Sequence, residues 1–456
     1  MDHQRAVKHG RKLSVRRLSA CAGLGLGTLL LAAALLIFAF RGAILNGYGK
    51  QKAEQAFARA HPGCVLRLGE LDYALRAHCL VAQSVTLSTT NATLQAGRVA
   101  LTGVRWMRLL WGTTALAEIL AQASLDVTNL SAEFPQAHYG LHCARLRASV
   151  PGSELMAEGI ELKPLIEDEA FFAAHEFRAP RFHVIAPECR VSGLALGELL
   201  QGKSCRARSV HFARPSFDAL VNRDKPVGPF VTSPLMVHEA LAAVPLPLQV
   251  DTLTLTNGHL TYRERVVAGA VPGVLTFGAV SMTVDGLANR GAAPASIHLR
   301  AQGDFMNAGV LKVLMEIPVN APDLSFHYSG SLSAMDLPRL NAFLDLTEHT
   351  RIKSGRAQEA VFDIVVTAGQ ARGQVRAIYQ DLVIAVLDKK TGTEKGLSNR
   401  VASFLANAFK VRNGNAPDAS GAMKAGKVDF TRQPEHEFVQ FAWFALRSGV
   451  LDVIGF

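Results

Sequence analysis

The chain has 456 residues, 49% of them hydrophobic and 19% charged, a balance that excludes wholesale disorder, which needs low hydrophobicity and high charge. Its formal net charge of +10 is concentrated at the start, where Arg5, Lys8, Arg11, Lys12, Arg16 and Arg17 stand against Asp2 alone within residues 1–18. The remainder lacks the basic stripe that phosphate neutralisation requires, which excludes nucleic acid as a partner.

Residues 19–40, SACAGLGLGTLLLAAALLIFAF, carry no charge. At ~1.5 Å per residue a helix of this run covers ~33 Å, enough for the hydrocarbon core of a bilayer. The basic tail on its N-terminal side predicts that 1–18 is cytoplasmic and that the body is exported. The run is longer than a signal-peptide core and ends without a small-residue cleavage site, so it is expected to remain as a transmembrane anchor. No later stretch is long and apolar enough to span. The expected location is therefore the inner membrane, single-pass, with residues 41–456 in the periplasm.

Residues 43–60 read as a juxtamembrane helix, stopped by His61-Pro62-Gly63. From Cys64 onward the pattern changes to short alternating segments rich in Val, Leu and Thr, for example 84–88, 98–102, 124–130 and 296–301, which predicts many short strands. Helices are expected at 105–122, 194–200, 235–243, 307–316, 337–346 and 396–410. In 337–346, Asp336 stands at the cap and Pro338 in the first turn. Two runs meet at Asn257-Gly258 within 250–262, which reads as a hairpin with a two-residue turn. A second strand pair, 361–367 and 374–387, flanks the glycine-bearing 368–373. The Pro-bearing stretches 222–234 and 411–417, and the polar 412–421, read as exposed loops.

A repeat emerges from these elements. Leu109-Leu110-Trp111-Gly112 precedes the strand 124–130, and Leu199-Leu200-Gln201-Gly202 precedes the strand 207–212. A looser copy at 241–247 leads into 250–255. Repetition of this kind favours a sheet extended unit by unit. The domain reading is tail 1–18, anchor 19–40, juxtamembrane helix 41–63 and two β-rich regions, 64–235 and 236–456.

No catalytic or metal signature stands out, and the chain reads as a non-enzyme without a cofactor. His175-Glu176 and His238-Glu239 lack a second His four residues on. His436, Glu435 and Glu437 read as a polar face, and the acidic run 167–169 as a solvated loop. Ser153, Ser209 and Ser216 lack the GxSxG context. Outside the anchor there are five cysteines. Cys64 with Cys79, and Cys189 with Cys205, are spaced for local disulfide loops, with Cys143 left over; the alternative is five small buried hydrophobes. The stretch 438–444, FVQFAWF, read as a strand, places Phe438, Gln440, Ala442 and Phe444 on one face and Val439, Phe441 and Trp443 on the other. It serves either as core or as an apolar docking lip.

The units LLWGTTALAEILAQASLDVTNLSAEF (109–134), LGELLQGKSCRARSVHFARPSFDAL (196–220) and PLPLQVDTLTLTNGHLTYRER (245–265) resemble the helix–strand–turn repeat of the AsmA-like family of Gram-negative envelope proteins. So do DLPRLNAFLDLTEHTRIKSG (336–355), GQVRAIYQDLVIAVLDK (373–389) and FVQFAWFALRSGVLDVIGF (438–456). The resemblance implies a mainly β fold with short helices, in which an elongated, twisted antiparallel sheet forms a groove. It also implies a role in envelope homeostasis and outer-membrane biogenesis through binding or transferring phospholipid. A scaffold or assembly factor for other envelope proteins is the alternative. Strand alternation makes such a groove physically coherent, since one sheet face is a continuous apolar track. Acyl chains gain ~0.8 kcal/mol per buried CH₂ without any specific side chain. Val375 and Leu382, with Phe438, Phe441 and Trp443, are the residues expected to line the groove or dock. Roughly 25 strands at ~4.8 Å give a body ~120 Å long.

Overall fold

Residues 48–74, 78–104, 120–227, 236–289, 296–319, 323–388 and 411–455 are described by a computed structural model. The basic tail, the anchor 19–40, the helix 396–410 and nearly all of the helix 105–122 lie outside them. No helix among the described residues is long and apolar enough to cross a membrane.

The alternating segments form strands that join one large sheet. In chain order the elements begin with helix α1 (Tyr48–Ala60), β1 (Val65–Arg67), β2 (Leu71–Ala74), β3 (Cys79–Ser88), β4 (Thr93–Thr102), β5 (Ser124–Phe134), β6 (Tyr139–Ser149) and β7 (Glu154–Pro164). Then come α2 (Asp168–Ala174), β8 (Arg181–Ser192), α3 (Leu196–Leu200), β9 (Cys205–Ala213), β10 (Ser216–Asn222), α4 (Val237–Ala242), β11 (Leu248–Arg265) and β12 (Gly273–Ala288). The last part comprises β13 (Ser296–Phe305), β14 (Gly309–Pro318), β15 (Phe326–Leu332), β16 (Met335–Asp336), α5 (Asn341–Thr347), β17 (Thr350–Thr367), β18 (Gln370–Val386), β19 (Ala425–Thr431) and α6 (Phe438–Ile454).

Neighbours in sequence are neighbours in the sheet, and nearly every pairing is antiparallel. The exception corrects the all-antiparallel expectation. The chain crosses over through α4 between β10 and β11, so β9 and β10 both lie parallel to β11. The nineteen strands of the described residues fill sixteen ranks, because β1 with β2, β9 with β10 and β15 with β16 each share one. At ~4.8 Å per rank the sheet measures about 70 Å across its strands, well short of the expected length. The strands are longer than short alternating windows suggested; β11 and β17 have 18 residues each.

A crease crosses the sheet at mid-strand. On β3 to β8 the inward apolar residues step by two on either side of it and by three across it. The steps run from Ala82 to Val85, Ala96 to Val99, Val127 to Leu130, Cys143 to Leu146, Ala157 to Ile160 and Ala186 to Cys189. The odd step is taken by a left-handed or small residue on successive strands. Ser84 (φ 50°), Asn129 (φ 52°) and Gly159 (φ 63°) face Gly97 and Ala144 through the register. The level continues at Arg214 (φ 50°) and Asn257 (φ 52°). One left-handed residue breaks the two-residue alternation, so without it every side chain beyond would change face.

The crease explains one correction. Asn257-Gly258 is no hairpin turn: β11 runs straight through it, held by β9 and β10 on one side and β12 on the other. The second expected pair is a hairpin, and its two-residue turn is Ala368 (φ 49°) and Gly369 (φ 78°). Of residues 307–316, expected as helix, 307–308 form a turn and 309–316 lie in β14, where Leu311, Val313 and Met315 face inward and Lys312 and Glu316 face out; the period-two pattern outweighs helix propensity. The stretch 438–444 belongs to helix α6, whose buried residues Phe441, Ala445, Gly449 and Val453 recur every four positions. Residues 411–417 are anchored too. Asn415 is buried, its backbone N–H donates to Tyr379 O at 2.9 Å, and its side chain donates to Ala377 O and Lys424 O.

Gly159 tests the crease. A Cβ there would meet the Ala144 Cβ at 2.9 Å in a backbone that L-residues adopt reluctantly. Gly159→Ala is expected to lower stability by about 1–3 kcal/mol, read as a urea midpoint, and Ala144→Gly in the same chain is expected to restore part of the loss. An unchanged midpoint contradicts the account.

Candidate apolar track

The register sets apolar side chains edge to edge across the whole sheet. From Leu80 the direct partners are Leu101, Leu125, Ala148, Leu155 and Val191. The line continues through Val210, Leu253, Val284, Leu299 and Met315. It ends at Tyr328, Ile364, Gly373 and Val428. A second line beside it runs from Ala82 by way of Val127, Phe212, Met282 and Val313 to Val375, every intervening position being apolar or glycine. The opposite face reads Arg190, His211, Thr254, Thr283 and Arg300 along one such line, with Leu314 the apolar member.

Exposure varies along the track. Both ends are buried. Leu80, Leu101 and Leu125 belong to a core with Phe57 of α1 and Leu196 of α3. Tyr328, Ile364 and Val428 belong to a second core with Phe441 and Val453 of α6. Between them Val191, Val210, Leu253, Leu299 and Met315 are half-buried, as are Phe212, Leu255, Met282 and Val313 on the second line. The half-exposed stretch spans β8 to β14, about 24 Å at the usual strand spacing.

Helix α6 closes the far end by close approach. A Cβ at Gly449 would meet Val375 Cγ2 and Val428 Cγ2 at 2.6 Å each, so only glycine lets the helix lie this near the sheet. The Tyr328 hydroxyl donates to Ala442 O at 2.8 Å, and burial raises its pKa. Asp452 accepts from the Lys427 backbone N–H and from Lys424 Nζ, fastening the end of α6 to the edge strand β19. Those two bonds, the backbone one first, hold its carboxyl below the ordinary range.

The five expected groove residues divide accordingly. Val375, 1% exposed, lies on the track beneath Gly449, and Leu382 is buried near Leu337 in the same core. Phe438 packs on Phe326 with ring centroids 4.9 Å apart, and Phe441 is fully buried. Trp443, half exposed, stands on the outer side of α6. The half-exposed residues of β9 to β14 were not singled out from the sequence, although period-two alternation in 207–213, 280–284 and 311–315 carries their signal.

Other expectations are corrected. All five described cysteines are free thiols. Cys79 pairs with Ala74 while Cys64 adjoins the strand end facing Ser88, about nine residues or ~30 Å along β3. Cys189 faces Phe212, seven residues or ~23 Å from Cys205. A disulfide needs Cα atoms within about 7 Å. Burial pushes the Cys189 thiol up to about 11. The acidic run 167–169 is no solvated loop. Asp168 pairs with the buried Arg181 and Glu169 with the buried Arg265, while Asp218 bridges Arg181 and Arg263 at 2.6 Å each, clamping α2 across the strand ends. His436 is buried between Phe430 and Phe444 rather than on a polar face. No three His, Cys, Asp or Glu side chains among the described residues come together to hold a metal.

Comparison with protein-family models and with characterised proteins found no match.

His436 ties the closure to pH. Its Nδ1 accepts from the Gln433 backbone N–H, which requires the unprotonated ring, and burial holds its pKa below the ordinary value. A depressed folded-state pKa gives stability that is present above about pH 6.5 and is lost as pH falls through the folded value. Amide exchange at Gln433 and Phe441, corrected for intrinsic rates, is expected to quicken between pH 7.5 and pH 5, and His436→Gln to flatten that dependence. A flat wild-type profile contradicts it.

Proposed function

We propose that this chain is an inner-membrane-anchored, periplasmic protein of envelope homeostasis, related to AsmA-like proteins, that carries or binds phospholipid acyl chains on the inner face of its sheet and catalyses no reaction. One observation carries the reading: the apolar lines are unbroken from β3 to β19, yet between β8 and β14 most of their members, Cys189 and Val284 apart, are only half-buried. A filled core would bury these side chains completely, and apolar surface left half-buried over several strands is costly unless something covers it. Acyl chains suit the surface because they need apolar area and no directional partner. The polar outer face keeps the other side in water. A sheet of about 70 Å fits a shuttle, or one span of a longer path completed by another envelope protein.

The test compares two substitutions in the full chain purified in mild detergent, with phospholipid per protein read by mass spectrometry. Met282→Glu, in the half-exposed stretch, is expected to lower bound phospholipid several-fold while the thermal transition stays cooperative. Val375→Asp, beneath α6, places an unpaired charge in a filled core and is expected to unfold the C-terminal part outright. Wild type that carries no phospholipid, or Met282→Glu that carries as much as wild type, overturns the lipid reading and leaves an envelope scaffold.

A further inference from the structure

The ranks that hold the half-exposed track also carry an apolar tip at their strand ends. Between β11 and β12 the chain runs Val266-Val267-Ala268-Gly269-Ala270-Val271-Pro272, with no charged or hydrogen-bonding side chain. Val267 is 60% exposed and Val271 75%, the highest value among the large apolar side chains of the described residues outside α6. Val227, 46% exposed, stands on the neighbouring turn after β10. The two turns are tied together. The Ala268 N–H donates to Asp224 Oδ2 at 3.0 Å, the Arg223 N–H to Arg265 O at 2.8 Å, and the Arg178 N–H to Pro226 O at 2.8 Å. Beneath them the clamp of Arg265 on Glu169, with its guanidinium 4.9 Å over the Phe172 ring, fixes the strand ends that present the tip.

Solvent-exposed valines held on a braced turn lose apolar area to water without gaining a core. The outermost side chains of the tip, Val227, Val267 and Val271, are apolar, and a bilayer needs no polar group to cover them; the Asp224 carboxylate beside them is taken up by the Ala268 N–H. Behind the tip sit Lys225 and Arg178. The Arg178 guanidinium donates to the carbonyls of Arg223 and Lys225, and no carboxylate of the described residues pairs with either cation. Cations set behind an apolar tip match the depth of anionic headgroups above an acyl layer. Inward of the tip, α5 lies on Tyr262 and Gly273 through Phe343 and Thr347, and past it β11 and β12 place Leu260 opposite Phe277, both half-buried, on the way to Leu255 and Met282 of the track.

We propose that the turns bearing Val227, Val267 and Val271 dip into the surface of an anionic phospholipid bilayer, so that lipid passes to the track from the side of the sheet at β10 to β12 rather than from its closed ends. The inference rests on the lipid reading above, and its failure is separable from the failure of that reading.

The test is depth-resolved quenching. The full chain carrying Val271→Trp is reconstituted in vesicles of phosphatidylglycerol and phosphatidylcholine, with and without bromine on the phosphatidylcholine acyl chains, and the wild-type signal is subtracted. The added emission is expected to be strongly quenched by the brominated lipid. Leu314→Trp, on the polar outer face, is expected to be unaffected, and Val267→Asp combined with Val271→Trp to lose most of the quenching. Quenching of Val271→Trp no greater than that of Leu314→Trp overturns the proposal. So does a fall in particle mass by light scattering on Val271→Asp, which makes the tip a contact between copies of the chain. Bound phospholipid is measured on the same samples. Lipid retained without quenching removes the tip and leaves the track; quenching without bound lipid removes the track and leaves the tip.

Discussion

Side chains on a strand alternate between faces, and this fold depends on keeping that alternation in phase from one edge of the sheet to the other. Phase is held by direct pairing. Each inward residue faces another inward residue on the next strand, so that Leu101 meets Leu125, Leu253 meets Val284 and Ile364 meets Gly373. A one-residue slip on any strand would turn its apolar set to water. The crease is the second half of the same constraint. Where the strands change parity they do so together, at Ser84, Asn129, Gly159, Arg214 and Asn257, so the apolar face survives the change.

Two consequences shape the molecule. Helices finish the face where the chain has apolar residues to spare, and α6 does so at glycine contact distance over Val375 and Val428. Between β8 and β14 the cover is partial: α5 lies over the β11 and β12 ends at Tyr262 and Gly273, while Val210, Leu253, Leu299 and Met315 stay half-buried. The buried charged residues fix the position of elements. Arg181 and Arg265 are each only 6% exposed at the side chain and are paired with carboxylates of α2 and β10. Removing one partner of such a pair leaves a buried charge, so the clamp is strict about geometry.

Much of the fold was legible in the sequence. Period-two alternation identified the strand class, and the elements at 196–200, 237–242 and 341–347 stand close to where capping and apolar spacing placed them. What was illegible came from pairing. Asn257-Gly258 carries the chemistry of a turn, and only the two strands flanking β11 make it a crease. The stretch 438–444 satisfies both periods, and the sheet surface under Phe441 and Gly449 selects the helix. The acidic run at 167–169 became a clamp through Arg181 and Arg265, distant in sequence. The same limit hid the track: each strand displays its apolar residues, but their alignment across ranks and the gap in their cover are properties of the assembled sheet.

On the proposed function, the half-buried inner face of β8 to β14 carries lipid. Photo-crosslinking in intact cells tests it most directly. A photoreactive phenylalanine analogue is placed at Leu299 on the inner face or at Leu314 on the outer one, and adducts are read by mass spectrometry. The account predicts phospholipid adducts at Leu299 and none at Leu314. Adducts at neither, or equally at both, contradict it.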